Sequence, residues 1–207
     1  MKHKLIYSCL ILFVIAALAS CQNSIQTNTS ISDQYFPNKV GDSWTYMVND
    51  TVGENLQVSI MGTTHYSDGT PATIWKWIWP ENMNQKAFGT DTTYVIVKGD
   101  SILISPYLHV YSNGTKLIDH IYIFPLQAGQ VWRHDADSSQ VVSEDSLTVP
   151  AGSFGGVYRI HTTGGGPNYF LDRNIWFKPG VGIIQMYQKR FYGGFYGTLK
   201  LVDYHVK

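Results

Sequence analysis

The phrase Phe36-Pro37-Asn38-Lys39-Val40-Gly41-Asp42-Ser43-Trp44 returns 88 positions later as Phe124-Pro125-Leu126-Gln127-Ala128-Gly129-Gln130-Val131-Trp132. The shared pattern is F-P-x-x-x-G-x-x-W, and it admits few backbone conformations. Proline fixes φ and ends a preceding strand. Glycine accepts the positive φ of a tight turn. Tryptophan three residues later gives the next strand a large apolar anchor. Each copy therefore predicts the entry to a β unit. Two such entries fit a duplicated unit, with halves 35–123 and 124–207. They also fit two places that need the same strand entry. Looser matches lay residues 68–77 on 151–160 and 93–99 on 174–180.

Between these entries the chain alternates apolar and polar residues with the period of a strand. Trp44, Tyr46 and Val48 share one face, and so do Leu56, Val58 and Ile60. Thr73 to Trp79 puts Trp75, Trp77 and Trp79 on one side and Lys76 and Ile78 on the other. Pro80 ends that run and predicts a strand that is short or at an edge. Two-residue turn signals mark hairpins at Gly99-Asp100, Asn113-Gly114 and Gly193-Gly194. Further strands are expected over Gly129–His134, Val141–Val149, Phe154–Thr162 and Ile175–Lys178, with a glycine-rich loop at Gly164–Gly166. About a dozen short strands and no convincing helix predict an all-β fold. We expect an antiparallel, hairpin-rich barrel or strongly curved sheet, with a β-sandwich as the alternative.

The N-terminus carries a different message. Lys2 and Lys4 precede an uncharged apolar run from Leu5 to Ala17, which has the build of a signal peptide. It ends in Leu18-Ala19-Ser20-Cys21, which resembles the bacterial lipobox. That resemblance implies cleavage before Cys21 and acylation of its thiol and amino group, a stable membrane anchor. Residues 1–20 are then the signal peptide, 21–34 a polar flexible tether, and 35–207 a single domain. Cys9 is lost with the signal, so the mature chain has no internal disulfide and no thiolate metal site. The tether lacks an acidic run after Cys21, and Gln22 stands where an inner-membrane retention signal has Asp. Both features point to the outer membrane, facing the periplasm.

Three phrases carry a wider resemblance. Tyr35-Phe36-Pro37 through Trp44-Thr45-Tyr46, Val149-Pro150-Ala151-Gly152-Ser153-Phe154 and Trp176-Phe177-Lys178-Pro179-Gly180-Val181-Gly182 occur in this order. The set resembles a broad group of uncharacterised exported bacterial β proteins, many of them lipoproteins. The resemblance implies an exported β domain and brings no activity with it.

Chemistry is sparse. Without Lys2 and Lys4, 13 basic residues face 15 acidic ones, and no basic stripe invites nucleic acid. Ala151-Gly152-Ser153-Phe154-Gly155 faintly echoes a nucleophile elbow but lacks the following helix. Gly164-Gly165-Gly166-Pro167 lacks the lysine of a phosphate loop. His134-Asp135-Ala136-Asp137 could supply metal ligands, although a solvated loop is the better reading. We expect no catalytic residues, no metal and no cofactor. The ligand-binding candidates are Trp75, Trp77 and Trp79, whose rings could line an apolar cavity, stack on sugars or simply build a core. Phe191, Tyr192, Phe195 and Tyr196 form a second aromatic group. The partners this allows are the membrane through Cys21 and an apolar small molecule, a glycan or an envelope protein.

Overall fold

The computed structural model describes residues 34–81, 83, 91–166, 169–191 and 195–207. The signal segment, Cys21, most of the tether and the Gly193-Gly194 turn lie outside them. The elements are β1 (Ser43–Val48), β2 (Asn55–His65), β3 (Pro71–Ile78), β4 (Thr92–Lys98), β5 (Ser101–Ser105) and β6 (His120–Ile123). The second six are β7 (Val131–His134), β8 (Asp137–Val149), β9 (Gly152–Gly166), β10 (Tyr169–Lys178), β11 (Gly182–Phe191) and β12 (Gly197–His205). All twelve join one antiparallel sheet in the order β6-β5-β4-β3-β2-β1-β12-β11-β10-β9-β8-β7. Each half is a meander, and β1 pairs with β12. The sheet curls until β6 and β7 face each other, giving a nearly closed all-β barrel and not a sandwich.

Alternation decides which residues fill it. Trp44, Tyr46, Val48, Leu56, Val58 and Ile60 are all buried, as their period predicts. The two motif phenylalanines meet inside one end of the barrel. The Phe36 and Phe124 rings are 6.2 Å apart, and both pack on Phe177, at 5.9 and 5.5 Å. Burying each such ring contributes about 1.5–3 kcal/mol, so the end is plugged by packing alone.

The three phrases of the resemblance gather near this plug. Gly180 N–H donates to Tyr35 C=O, and Ala151 N–H donates to Leu201 C=O. The Trp44 indole N–H donates to Val181 C=O at 2.7 Å. Gly182 has φ of 102°, and a Cβ there would sit 3.4 Å from Trp44 Nε1. Glycine at 182 thus lets the turn take the indole.

Three local expectations need correction. The Asn113-Gly114 turn forms, but its flanks do not make the predicted hairpin ladder. Only Val110 and Lys116 bridge, and β6 starts at His120. Pro106 follows the end of β5, and Tyr107, Leu108, Tyr111 and Leu117 are exposed, so no buried face fixes a register there. The expected loop at Gly164–Gly166 is the end of β9, paired with β10. A neighbouring strand supplies the ladder that glycine propensity does not favour. β3 ends at Ile78, before Pro80, but with eight residues it is not short, and it is not an edge, since β2 and β4 pair with it on either side.

Candidate functional site

One row of side chains breaks the apolar lining of the barrel. On β10, Leu171, Arg173, Ile175 and Phe177 are all buried and share the inward face at period two. Arg173 pairs across the sheet with Gln188 of β11 and with Thr162 of β9. Thr162 pairs in turn with Ser139 of β8. These four residues are buried, Arg173 with 3% of its surface exposed. The neighbouring row, Met186, Ile175, Ile160 and Val141, is wholly apolar.

The row partly satisfies itself. Ser139 Oγ and Thr162 Oγ1 share a hydrogen bond of 2.9 Å, and Gln188 Nε2 donates to Phe195 C=O at 3.3 Å. Arg173 does not. Its Nε and Nη1 are buried and have no hydrogen-bond partner. A guanidinium cannot discharge itself by losing its proton. Leaving an ionised group in an apolar interior without full compensation costs several kcal/mol.

Strand β6 supplies the groups around that charge. His120 and Tyr122 are both buried on the inner side of β6. Burial, and then the Arg173 charge, push the His120 imidazole below its usual range, so it is neutral near pH 7. Asp119 opposes this shift, its Oδ2 lying 3.1 Å from His120 Nδ1. Burial pushes the Tyr122 hydroxyl up, against a smaller opposite effect of Arg173. Tyr122 therefore remains a neutral O–H group, and its oxygen has no hydrogen-bond partner.

The tryptophans of β3 are divided in their use. Trp75 and Trp77 point inward and are buried. Trp75 stacks on Trp44 at 5.1 Å, and its N–H donates to Asn38 Oδ1 at 2.9 Å. Trp77 donates to Thr93 Oγ1 at 2.9 Å. Trp79 lies just beyond the strand, half-buried, with its ring 5.4 Å from Phe195. Its Nε1 is buried and has no hydrogen-bond partner. Phe195 thus touches both Trp79 and the amide of Gln188, which faces Arg173 across the sheet.

Other candidates are placed elsewhere. His134 Nε2 lies 2.8 Å from Ile118 C=O and 3.5 Å from Asp135. Ser153 sits in the β8–β9 turn and shares a hydrogen bond with Thr148. A cleft of about 460 Å³ at the plugged end is lined by Phe36, Asn38, Lys39, Asp42, Gly180 and Lys207. There Asp42 accepts from the backbone N–H groups of Lys39 and Lys207, and Lys39 Nζ donates to Lys207 C=O. That cleft is the seat of Lys207. Cys21 lies outside the described residues.

Arg173, Gln188, His120 and Tyr122 do not appear among the candidates drawn from sequence. One signal for Arg173 exists, a charge at an inward position between Leu171 and Ile175. The others become visible only when the register sets strands side by side.

No known family model and no curated protein sequence matches this chain. Among solved structures, it is similar to a protein of Bacteroides fragilis described as exported and as having a YmcC-like fold. The TM-score is 0.50 at 11% identity, over 83% of this chain and 98% of that one. It is also similar to a protein of Parabacteroides distasonis described as a lipoprotein. There the TM-score is 0.42 at 12% identity, over 83% of this chain and 99% of that one. At these identities the first likeness is one of fold.

Proposed function

We propose that this chain is a lipid-anchored bacterial envelope protein, non-enzymatic, whose barrel holds a small ligand in its interior. The lipobox-like Leu18-Ala19-Ser20-Cys21 after a signal-like run supports the anchor. Description of the Bacteroides fragilis protein as exported accords with it. The outer membrane, facing the periplasm, is the location that the tether composition favours. The observation that carries the binding role is the buried Arg173, whose Nε and Nη1 have no hydrogen-bond partner in the barrel interior. A protein that only needed a core would gain stability from an apolar residue at that position.

An apolar ligand against Trp75, Trp77 and Trp79 belongs to the same reading, since these rings line the interior or its margin. A glycan platform calls for an open indole face, and Trp79 is the residue of the three that retains one in part. A protein partner is the second reading. It rests on Tyr107, Leu108, Tyr111 and Leu117, which are all exposed on the excursion between β5 and β6.

Two measurements test the proposal. Cys21→Ala should abolish incorporation of labelled palmitate and move the protein to the soluble fraction. Continued labelling and membrane association in the variant would refute the anchor. Quenching of tryptophan fluorescence across a screen of amphiphiles and oligosaccharides tests binding. Absence of any response would favour the protein-partner reading.

A further inference from the structure

We infer that the interior around Arg173 is an oxyanion-binding site, taking the carboxylate or phosphate group of a small ligand. This rests on the binding role proposed above and names the chemistry that fills it. Among the described residues, the buried polar atoms without a hydrogen-bond partner include Nε and Nη1 of Arg173, the hydroxyl of Tyr122 and Nε1 of Trp79. Each of these is a donor. The permanent charge of the guanidinium disfavours a cation at the same place. Arg173 offers a permanent positive charge with unpartnered donors on Nε and Nη1, and charge-assisted bonds from a guanidinium to carboxylate or phosphate oxygens are the strong ones.

The Asp119 carboxylate, an acid near this charge, is directed to His120 at 3.1 Å, and Nε and Nη1 of Arg173 have no hydrogen-bond partner. His120 is neutral, so it neither competes with Arg173 for the anion nor repels it. Ser139 and Thr162 share a hydrogen bond in the same row, and a hydroxyl of such a pair can turn toward a ligand. The neighbouring apolar row, Met186, Ile175, Ile160 and Val141, excludes water and strengthens a charge-assisted bond. Strand β6, which brings His120 and Tyr122, is held by backbone bonds on its β5 side only. The other side of this wall is closed by side-chain bonds from Gln130, Trp132 and His134 and not by a backbone ladder.

The experiment compares thermal midpoints of the purified protein with decanoate, inorganic phosphate and decanol. We expect decanoate or phosphate to raise the midpoint by several degrees while decanol does not. The shift should be lost in Arg173→Met. That variant should fold, since it exchanges a buried charge for an apolar chain of similar length. Tyr122→Phe removes a single hydroxyl and should weaken the same ligand several-fold, so the inference stands on a second variant. A shift with decanoate alone identifies an amphiphile, and one with phosphate identifies a free oxyanion. An equal shift with decanol, or one that survives Arg173→Met, would overturn the oxyanion site and leave an interior apolar ligand standing. No shift with any of the three would overturn both.

Discussion

The two copies of F-P-x-x-x-G-x-x-W build the same turn and then meet different neighbours. Gly41 and Gly129 both have positive φ, 94° and 86°. Asp42 N–H donates to Lys39 C=O, and Gln130 N–H donates to Gln127 C=O, each at 3.0 Å. Lys39 N–H donates to the Asp42 carboxylate, and Gln127 N–H to the Gln130 side-chain carbonyl. Gly41 and Gly129 then donate to Ile60 of β2 and Val141 of β8. Beyond the turn the copies part. β1 pairs with β12 through six residue pairs, from Ser43 with His205 to Val48 with Leu199. β7 meets β6 through side chains. Gln130, Trp132 and His134 bond to the carbonyls of Ile123, Ile121 and Ile118. One local grammar thus serves a backbone ladder at one junction and a side-chain seam at the other. The turn sets where a strand starts, and the partner opposite sets how strongly it is held.

This asymmetry makes distinct demands on the two tryptophans. Trp44→Ala removes an indole that is 2% exposed and stacked on Trp75, and should cost about 3–5 kcal/mol. Denaturant midpoints would record this as a global loss, with β1 and β12 losing amide protection together. Trp132→Ala should instead expose β6 and β7 first. Equal loss of protection at both junctions in both variants would make them equivalent.

A milder change isolates the seam. Trp132→Phe keeps apolar bulk but leaves the Ile121 carbonyl without its indole donor. The cost should be about 1–3 kcal/mol. Hydrogen exchange should quicken in β6 and β7 and remain unchanged in β1 and β12. Unchanged exchange in β6 would mean that packing alone holds the seam.

The smallest effect is gradual and depends on pH. His120, on the seam strand, is held below the ordinary histidine range of about 6.5 by burial and by Arg173, against Asp119. As the pH falls through that range, the unfolded chain takes up a proton that the folded chain refuses. Folded stability is therefore full above that range and declines from pH 7 toward pH 5. His120→Gln should flatten this decline. A slope unchanged by the substitution would assign the acid response to other groups.

Much of this architecture was legible in the sequence because it is local. Alternation placed Trp44, Tyr46, Leu56 and Val58 on buried faces, and Gly99-Asp100 fixed the β4–β5 turn. The flanks of Asn113-Gly114, Tyr107–Ser112 and Thr115–Ile123, do not make the expected ladder beyond the Val110–Lys116 bridge, because a turn dipeptide specifies a reversal but not a buried face for its flanks. The polar row was illegible for a different reason. Arg173, Gln188, Thr162 and Ser139 come from four strands, and each looks like a single break in an apolar pattern. Only the register makes them neighbours. The tryptophans of β3 were conspicuous because three identical large residues recur at period two. That pattern cannot distinguish a ring that packs from a ring that binds.

The β12–β1 ladder has a consequence for timing. Its partners lie about as far apart in sequence as this domain allows; Lys207 N–H reaches Asp42 across 165 positions. The seam at β6 and β7, by contrast, is spanned by a short connecting segment. Contacts of such long range form late, since the intervening chain must first be brought to order. In a chain that folds from its N-terminal side β1 can find β2 at once, but its other edge stays bare until β12 arrives. Until then the chain carries an unpaired strand edge at Trp44 and Tyr46, and whatever shields that edge decides whether the barrel closes on itself or on a neighbour.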